Sequence, residues 1–174
     1  MNLTKTFRIA LFALAISVSL GVATKCRAAS SLQAEKTAVR DVLLRSAASF
    51  EKGDKAEATR VWVNDESLTV FESGHANYGW ADYRDHHLFP EMGQMKNTKY
   101  TLSDIRVKVS GNTAWATFKY AISADIGTRH VNGAGLGTAV LEKRDGIWRI
   151  VHWHSSAPRR APAASPSPTP AAKP

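Results

Sequence analysis

Residues 105–122 read IRVKVSGNTAWATFKYAI and contain the clearest structural signal in this chain. Apolar and polar side chains alternate on both sides of Ser110-Gly111-Asn112, a tripeptide suited to a turn. Alternation with period two is typical of a β-strand that buries one face. Two such runs joined by a short turn containing glycine predict a β-hairpin. The centre of the domain is therefore expected to be an antiparallel sheet.

The segment before this hairpin has a helical period instead. Ser30 with Gln33 forms a capping box, and apolar residues then recur at intervals of three and four until Gly53. Asp54 with Glu57 repeats the capping box, which predicts a second and shorter helix directly after the first. A long amphipathic helix of about six turns is therefore expected on the N-terminal side of the sheet.

The remaining elements complete a simple order. The sequence predicts a strand at 68–73, a helix at 80–92, a glycine-rich loop at 127–137, and strands at 138–143 and 147–155. The order along the chain is α-α-β-α-β-β-β-β. Strands joined by hairpins need no crossover helices, so the fold class is α+β, with an antiparallel sheet against segregated helices.

The N-terminus has the layout of a targeting segment. Lys5 and Arg8 precede an apolar run at 9–20, and small residues follow as far as Ala28. This layout predicts a secretory signal peptide at 1–28, cleaved near Ala28, and a periplasmic or secreted mature protein. The apolar run is shorter than the roughly 20 residues of a membrane-spanning helix, so no stable membrane insertion is expected after cleavage.

The C-terminus has a different composition. Residues 158–174 hold six of the seven prolines and no apolar residue larger than alanine. Such a segment cannot offset its ordering entropy by burial, so a disordered tail is predicted there and a folded domain at 31–157.

The net charge of +8 is concentrated at the two ends. Four basic residues and no acidic ones lie in 1–28, and three basic residues and no acidic ones lie in 157–174. The segment between them carries a net charge of only +1. No nucleic-acid partner is expected, because phosphate-backbone binding needs a clustered basic surface. Cys26, the single cysteine, lies in the predicted signal peptide, so no disulfide is expected.

Three segments resemble the nuclear transport factor 2-like superfamily in its SnoaL-like branch. They are DESLTVFE at 65–72, GWADYR at 79–84 and RDGIWRIVHWHS at 144–155. The resemblance is greatest to the association domain of calcium/calmodulin-dependent kinase II and its bacterial relatives. It implies a curved antiparallel sheet wrapped around the long helix, a conical cavity and dimerisation through the outer sheet face. It implies no reaction, because this fold hosts isomerases, dehydratases, binding proteins and oligomerisation modules.

One feature of the kinase domain is missing. That domain lines its cavity with arginines, and Tyr120, Ala139 and Ser155 occupy the matching positions here. A carboxylate ligand of the kinase type is therefore not expected.

The candidate catalytic residues are Glu72, His152 and His154. His152 and His154 are two residues apart on the last strand, so they project from one face together with Trp148 and Ile150. If Glu72 faces the same interior, a carboxylate and two imidazoles converge there and are suited to general acid–base chemistry. Two alternatives stay open: Glu72 lies in water at the rim, or the histidines are hydrogen-bonded structural groups.

The candidate ligand-binding residues form a larger set: Trp80, Tyr83, Arg84, Tyr120, His152 and His154. Trp80 is also suited to core packing, and Arg84 to a solvated ion pair. Two neighbouring histidines are fewer ligands than zinc requires, and the other histidines have no recognised spacing. Neither a metal nor another cofactor is expected.

Three functions remain open for this sequence. The first is an exported small-molecule-binding module with an internal cavity and no assigned reaction. The second is an isomerase- or dehydratase-type enzyme that uses Glu72 with His152 or His154. The third is an oligomerisation module, since Val151 and Trp153 on the opposite strand face predict a homodimer or larger ring.

Overall fold

The computed structural model describes residues 3–158, with side chains for Arg27 and from residue 29 onward. In chain order its elements are α1 (Leu3–Lys52), α2 (Lys55–Val61), β1 (Thr69–Glu72), β2 (His75–Tyr78), α3 (Trp80–Tyr83), a π-helical turn (Arg84–Leu88), α4 (Phe89–Gln94), β3 (Met95–Ser110), β4 (Thr113–Ile126), β5 (Arg129–Arg144) and β6 (Ile147–Ser156). The predicted tail from residue 159 onward lies outside the described residues, as do residues 1–2 and nearly all side chains of the predicted signal peptide. No helix whose side chains are described is long and apolar enough to cross a membrane.

Helix α1 ends where the sequence predicts and begins earlier. Gly53 follows it with a φ of 66°, a backbone region that glycine enters at little cost. The helix is continuous through Ser30, so the expected helix start at that residue is wrong. Residues 22–52 contain neither glycine nor proline, and nothing in the backbone interrupts the helix there.

The short helix α2 begins at its predicted cap. Asp54 Oδ1 accepts a hydrogen bond from the backbone N–H of Glu57 at 2.9 Å. This bond satisfies one of the free N–H groups at the helix start, a contribution of about 1 kcal/mol to stability. Val61 and the following Trp62 are buried, so α2 joins α1 on the concave side of the sheet.

The sheet is curved and unclosed, with the strand order β2-β1-β6-β5-β4-β3. The predicted α+β architecture with a long N-terminal helix is confirmed. Neighbouring strands are antiparallel except β1 and β6, which run parallel. No hairpin joins those two strands, so their direction is not set by a turn. Strand β2 was not predicted, because its four residues show no apolar alternation and three are exposed.

Strand β5 occupies the segment where the sequence predicted a glycine-rich loop, so that prediction is wrong. Gly137 is paired with Phe118, and a Cβ atom at Gly137 would lie 2.2 Å from the Phe118 ring. Gly135 is paired with Tyr120 in the same way, and its Cβ would lie 2.9 Å from that ring. Rings of β4 therefore fill the space above glycines of β5, and glycine here reflects close approach rather than a loop.

The alternation of inward and outward side chains along strand β6 shifts by one residue in the middle of the strand. Ile150 and His152 pair with adjacent residues of β5, which leaves Val151 as an extra residue in the ladder. A β-bulge of this kind reverses the alternation of side chains between the two faces. Trp148 is buried before the bulge and Trp153 after it, although they are five positions apart, an odd number. A regular strand would place these two side chains on opposite faces.

Candidate functional site

A pocket of about 380 Å³ opens between the C-terminal half of α1, the inner face of the sheet and the helical segment 80–94. Its apolar and aromatic lining consists of Phe50, Trp62, Tyr83, Leu88, Met95, Tyr100, Tyr120, Ile122 and Trp153. Its polar lining consists of Ser46, Glu72, Ser73, His75, His87, Glu91 and Ser155. An apolar wall with a few convergent polar groups is the usual composition of a small-molecule pocket.

Glu72 faces this pocket from the end of β1, on the side that the strand alternation predicted. It is in register with Ser155 of the parallel strand β6. The Ser155 hydroxyl donates a hydrogen bond to Glu72 Oε1 at 3.1 Å. This bond orients the carboxylate while its second oxygen stays available to other groups.

His152 and His154 lie on the outer face of the sheet, so their predicted grouping with Glu72 in one cavity is wrong. They are in register with Thr69 and Phe71, which alternate with the inward residues of β1. His152 Nδ1 lies 2.7 Å from Thr69 Oγ1. The physical reason is the bulge in β6, which moves both imidazoles to the face opposite Trp148 and Ile150. Neither histidine lines the pocket.

The same bulge reverses the predicted position of Trp153. This side chain is only 3% exposed, with its ring between Trp62 at 5.8 Å and Phe118 at 4.7 Å. The expected outer patch of Val151 and Trp153 is therefore wrong, because Trp153 belongs to the core. A tryptophan there builds the floor beneath the pocket rather than a surface for a partner.

The imidazole that faces Glu72 belongs to His87, on the π-helical turn. His87 Nε2 lies 3.3 Å from Glu72 Oε2 and 3.6 Å from Glu91 Oε1. Its other ring nitrogen, Nδ1, lies 2.8 Å from Asn77 Oδ1. A π-helical turn has a wider repeat than an α-helix and turns the side chains that follow about the helix axis. Such turns recur at functional sites for this reason.

The hydrogen bonds around His87 fix the position of one proton. Asn77 Nδ2 donates to Asp82 Oδ2 at 3.1 Å, which turns Asn77 Oδ1 toward the imidazole. A carbonyl oxygen only accepts, so His87 Nδ1 carries a hydrogen. Nε2 then faces the carboxylates of Glu72 and Glu91. The cluster of Glu72, His87 and Glu91 therefore brings together an imidazole and two carboxylates, the groups that general acid–base chemistry uses.

Three tyrosine hydroxyls adjoin this cluster. Burial raises the pKa of Tyr83 and of Tyr100 well above the ordinary tyrosine value, and the negative charge of Glu72 adds to the shift. Burial, followed by Glu72, also raises the pKa of Tyr120. The three phenols thus stay protonated at neutral pH and can donate hydrogen bonds.

Glu91 is the second carboxylate of the cluster. Burial is the main cause that raises its pKa, His87 opposes the shift, and the negative charge of Glu72 adds to it. Glu91 therefore holds a proton more readily than an exposed glutamate does.

The predicted ligand-binding residues on the helix divide into two groups. Tyr83 lines the pocket, as does Tyr120 on β4. Trp80 is 6% exposed and packs in the core, and Arg84 forms an ion pair at 2.6 Å with the aspartate that follows it. Neither of these two lines the pocket.

Sequence reasoning missed His87, Glu91 and Tyr100. One signal was present: Tyr83, His87 and Glu91 are spaced by four residues, which places them along one face of a helix. Nothing local indicated that this face would meet Glu72, because that contact depends on how the helical segment packs against β1.

The three residues matched to the arginine positions of the kinase domain lie at or near the pocket. Tyr120 and Ser155 line the pocket, and Ala139 is buried in β5. Among the described residues that line the pocket there is neither lysine nor arginine. Among the side chains that the structure describes, those of Arg27 and residues 29–158, no group of three or more His, Cys, Asp or Glu has a geometry suited to a metal ion.

A curved sheet packed on a long helix, with a pocket between them, defines the nuclear transport factor 2-like class of folds. Residues 39–160 match the SnoaL-like domain family, and the chain belongs to that family. No curated protein matches the chain.

Solved structures support the fold. An NTF2-like superfamily protein of Salmonella enterica is 21% identical with a TM-score of 0.67, covering 74% of this chain and 94% of its own. A proposed dehydratase of the same class from Streptomyces avermitilis is 17% identical with a TM-score of 0.67, covering 73% and 98%. The association domain of CaMKII from Caenorhabditis elegans is 21% identical with a TM-score of 0.58, covering 73% and 98%. The resemblance to the kinase domain is thereby confirmed at the level of the fold.

Proposed function

We propose that this protein binds a small, partly apolar molecule in the pocket and moves a proton on it, as an isomerase- or dehydratase-type enzyme. The observation that carries the proposal is the 3.3 Å contact between His87 Nε2 and Glu72 Oε2 inside the pocket. It replaces the pairing of Glu72 with His152 or His154, which lie on the outer face. The simpler function, binding without chemistry, would use the same pocket and would not need an imidazole beside Glu72.

The chemistry follows from the groups at hand. The Glu72–His87 pair takes a proton from a carbon next to a carbonyl group, and the electron pair of that C–H bond moves onto the carbonyl oxygen. The protonated hydroxyl of Tyr83 or Tyr100 donates a hydrogen bond to the oxygen as its charge develops. Return of the proton to another carbon completes an isomerisation. Its transfer to a departing hydroxyl group releases water and completes a dehydration.

Asn77 is a positioning residue in this scheme. It holds the hydrogen on His87 Nδ1, so that Nε2 remains the nitrogen that exchanges a proton with Glu72. Asp82 holds Asn77 in turn, through a 3.1 Å hydrogen bond. This arrangement resembles the usual support of a general base, in which a third group orients the imidazole.

The experiment that tests this proposal measures hydrogen exchange in heavy water. The purified protein is incubated with a set of small ketones and β-hydroxyketones, and proton NMR follows deuterium uptake next to the carbonyl and loss of water. Glu72→Gln and His87→Gln should each reduce the rate by about 100-fold or more, the usual contribution of a general acid or base. His154→Gln is the matched control, because His154 lies on the outer face, and it should leave the rate unchanged. Equal rates in His87→Gln and the parent protein would contradict the proposal.

A second proposal concerns self-association through the outer sheet face. Trp115 and Leu136 are 45% and 62% exposed on that face, beside Phe71 and Val140. A second copy would cover these apolar side chains, and the fold shared with the kinase association domain supports a homodimer or larger ring. Light scattering should give a dimer or larger species, and Trp115→Lys should shift it toward monomer. A monomeric parent protein at micromolar concentration would contradict this proposal.

A third proposal concerns location. The basic start and short apolar run at residues 1–28 support export to the periplasm or medium. Intact-mass analysis of the exported protein should show a new N-terminus near Ala28. Retention of Met1 on that protein would contradict export by cleavage.

A further inference from the structure

We propose that the ligand of this pocket carries a positive charge, as a protonated amine on an apolar frame. This inference rests on the proposed function, since it names the class of molecule on which the Glu72–His87 pair would act. The juxtaposition that supports it is a wall of aromatic rings beside two carboxylates, with no basic side chain except histidine among the described lining residues.

The charges of the lining residues favour a cation. Glu72 and Glu91 both lie within 3.6 Å of the single imidazole of His87. One imidazolium can neutralise only one of the two carboxylates, so the fully ionised cluster of Glu72, His87 and Glu91 has a net negative charge. His75, the other histidine of the lining, is exposed and forms no ion pair with either carboxylate among the described residues. A ligand carboxylate or phosphate would add a third negative group without a lysine or arginine to meet it. An ammonium group supplies the missing positive charge.

The aromatic wall is suited to the same kind of ligand. The Trp62 ring lies 4.9 Å from that of Tyr83 and 5.8 Å from that of Trp153. The Tyr100 ring adjoins those of Phe50 and Tyr120, at 5.6 and 6.3 Å. The faces of such rings attract cations, and attraction is greatest where water is excluded. These rings would hold both the apolar frame and the carbon atoms next to a charged nitrogen.

Tyr83 provides a polar group in the aromatic wall, close to the two carboxylates. The residue is 5% exposed and lines the pocket. Its hydroxyl lies near enough to Glu72 and Glu91 for both carboxylates to act on it electrostatically. An ammonium N–H can donate to the Tyr83 oxygen while it also meets a carboxylate.

The test compares molecules that differ only in charge. Isothermal titration calorimetry at pH 7, with EDTA to remove metal ions, measures binding of 2-phenylethylamine, 2-phenylethanol and phenylacetate. A second series on a larger frame uses tryptamine, tryptophol and indole-3-acetate. The amine of at least one series should bind at least tenfold more tightly than its alcohol, and the carboxylate should bind most weakly.

Variants show whether the carboxylates are responsible. Glu91→Gln should weaken binding of the amine about tenfold and that of the alcohol less than twofold, since only the amine loses a charged hydrogen-bond partner. Asp85→Asn is the matched control, because Asp85 belongs to the same helical segment but pairs with Arg84 outside the pocket. Circular dichroism confirms that each variant is folded.

The outcomes separate this inference from the function on which it rests. Tighter binding of an alcohol or carboxylate than of its amine, or no amine binding in either series, would overturn the cationic ligand. So would an unchanged amine affinity in folded Glu91→Gln. Proton transfer would still stand if the exchange experiment showed the effect of His87→Gln. A cation preference without that effect would keep the ligand class and overturn the enzyme.

Discussion

Two histidines on opposite sides of the sheet each make a hydrogen bond through Nδ1. They differ in the groups that surround the rest of the ring. His87 Nδ1 is held by Asn77 Oδ1 at 2.8 Å, and His152 Nδ1 lies 2.7 Å from Thr69 Oγ1. His87 Nε2 then faces two carboxylates in the pocket. His152 instead has Phe71 beside it at 5.4 Å and a second histidine nearby. The residue type alone thus says little about charge, which is set by what the second nitrogen meets.

The direction of the pKa shift follows for the outer histidine. Burial lowers the pKa of His152, and the positive form of His154 lowers it further, whereas the contact with Thr69 opposes the shift. A neutral imidazole is therefore favoured at His152 on the outer face. The inner face has the groups for chemistry, and the outer face has groups suited to packing or to a partner.

The largest expected effect is on the free energy of unfolding, and it tests which face of β6 packs in the core. Trp153→Ala should lower the free energy of unfolding by about 3–5 kcal/mol, because it removes a buried aromatic side chain and leaves a cavity. His154→Ala, one residue away on the outer face, should change it by less than about 0.5 kcal/mol. Urea denaturation followed by circular dichroism measures both. Similar losses in the two variants would contradict the bulge at Val151.

A smaller effect is expected from the glycines of the inner face. Gly137→Ala should destabilise the protein by about 1–3 kcal/mol, because the added Cβ would overlap the Phe118 ring. Gly93→Ala in α4 is the control, since nothing lies within 4 Å of its added Cβ. It should stabilise by about 0.5–1 kcal/mol through helix propensity and chain entropy. A neutral Gly137→Ala in thermal denaturation would show that the ring can move away without loss.

Ser155 and Ser156 provide a finer comparison of the two faces. Ser155→Ala should cost about 1–2 kcal/mol, because the buried hydroxyl donates to Glu72 and also bonds Tyr120. Ser156→Ala should be nearly neutral, since Ser156 is exposed. The same chemical denaturation measures both. A loss at Ser156 equal to that at Ser155 would indicate that the end of β6 is oriented differently.

The smallest effect is the pH dependence of the outer histidine. NMR titration should show that the pKa of His152 is below the ordinary histidine value, and His154→Gln should raise it by removing a positive neighbour. Because the folded pKa is lowered, the stability from neutral His152 is complete above about pH 6.5 and is lost as the pH falls below it. His152→Gln should flatten this part of the stability profile. An unshifted His152 pKa in both proteins would contradict the proposed environment.

Local signals in the sequence were sufficient for much of the fold. Gly53 and Asp54 mark a helix end and a helix start by backbone and side-chain chemistry that involves only near neighbours. The hairpin around Gly111 and the tight turn at Asp145-Gly146 are also local, and both were predicted. The strand alternation correctly placed Glu72 on the inner face.

Apart from the helix start expected at Ser30, the errors concern contacts between distant segments. Nothing in residues 147–155 shows that Val151 is an extra residue, because the bulge is defined by pairing with β5. The glycines of β5 are typical of a loop until their partners Phe118 and Tyr120 are known. His87 was missed for the same reason, since its role depends on Glu72, which lies on another element. The candidate site was therefore half predicted: Glu72, Tyr83 and Tyr120 were expected in the cavity, but the imidazole was not.

The bulge at Val151 also affects how this chain should be aligned with its relatives. A relative with an uninterrupted last strand has one residue fewer between the positions of Ile150 and Trp153 on the inner face. An alignment without a gap there would match an inward residue of one protein to an outward residue of the other. Roles transferred along such an alignment would be assigned to His152 and His154 in place of Trp153 and Ser155. Superposition of the buried tryptophan, rather than the count of residues, gives the correct correspondence.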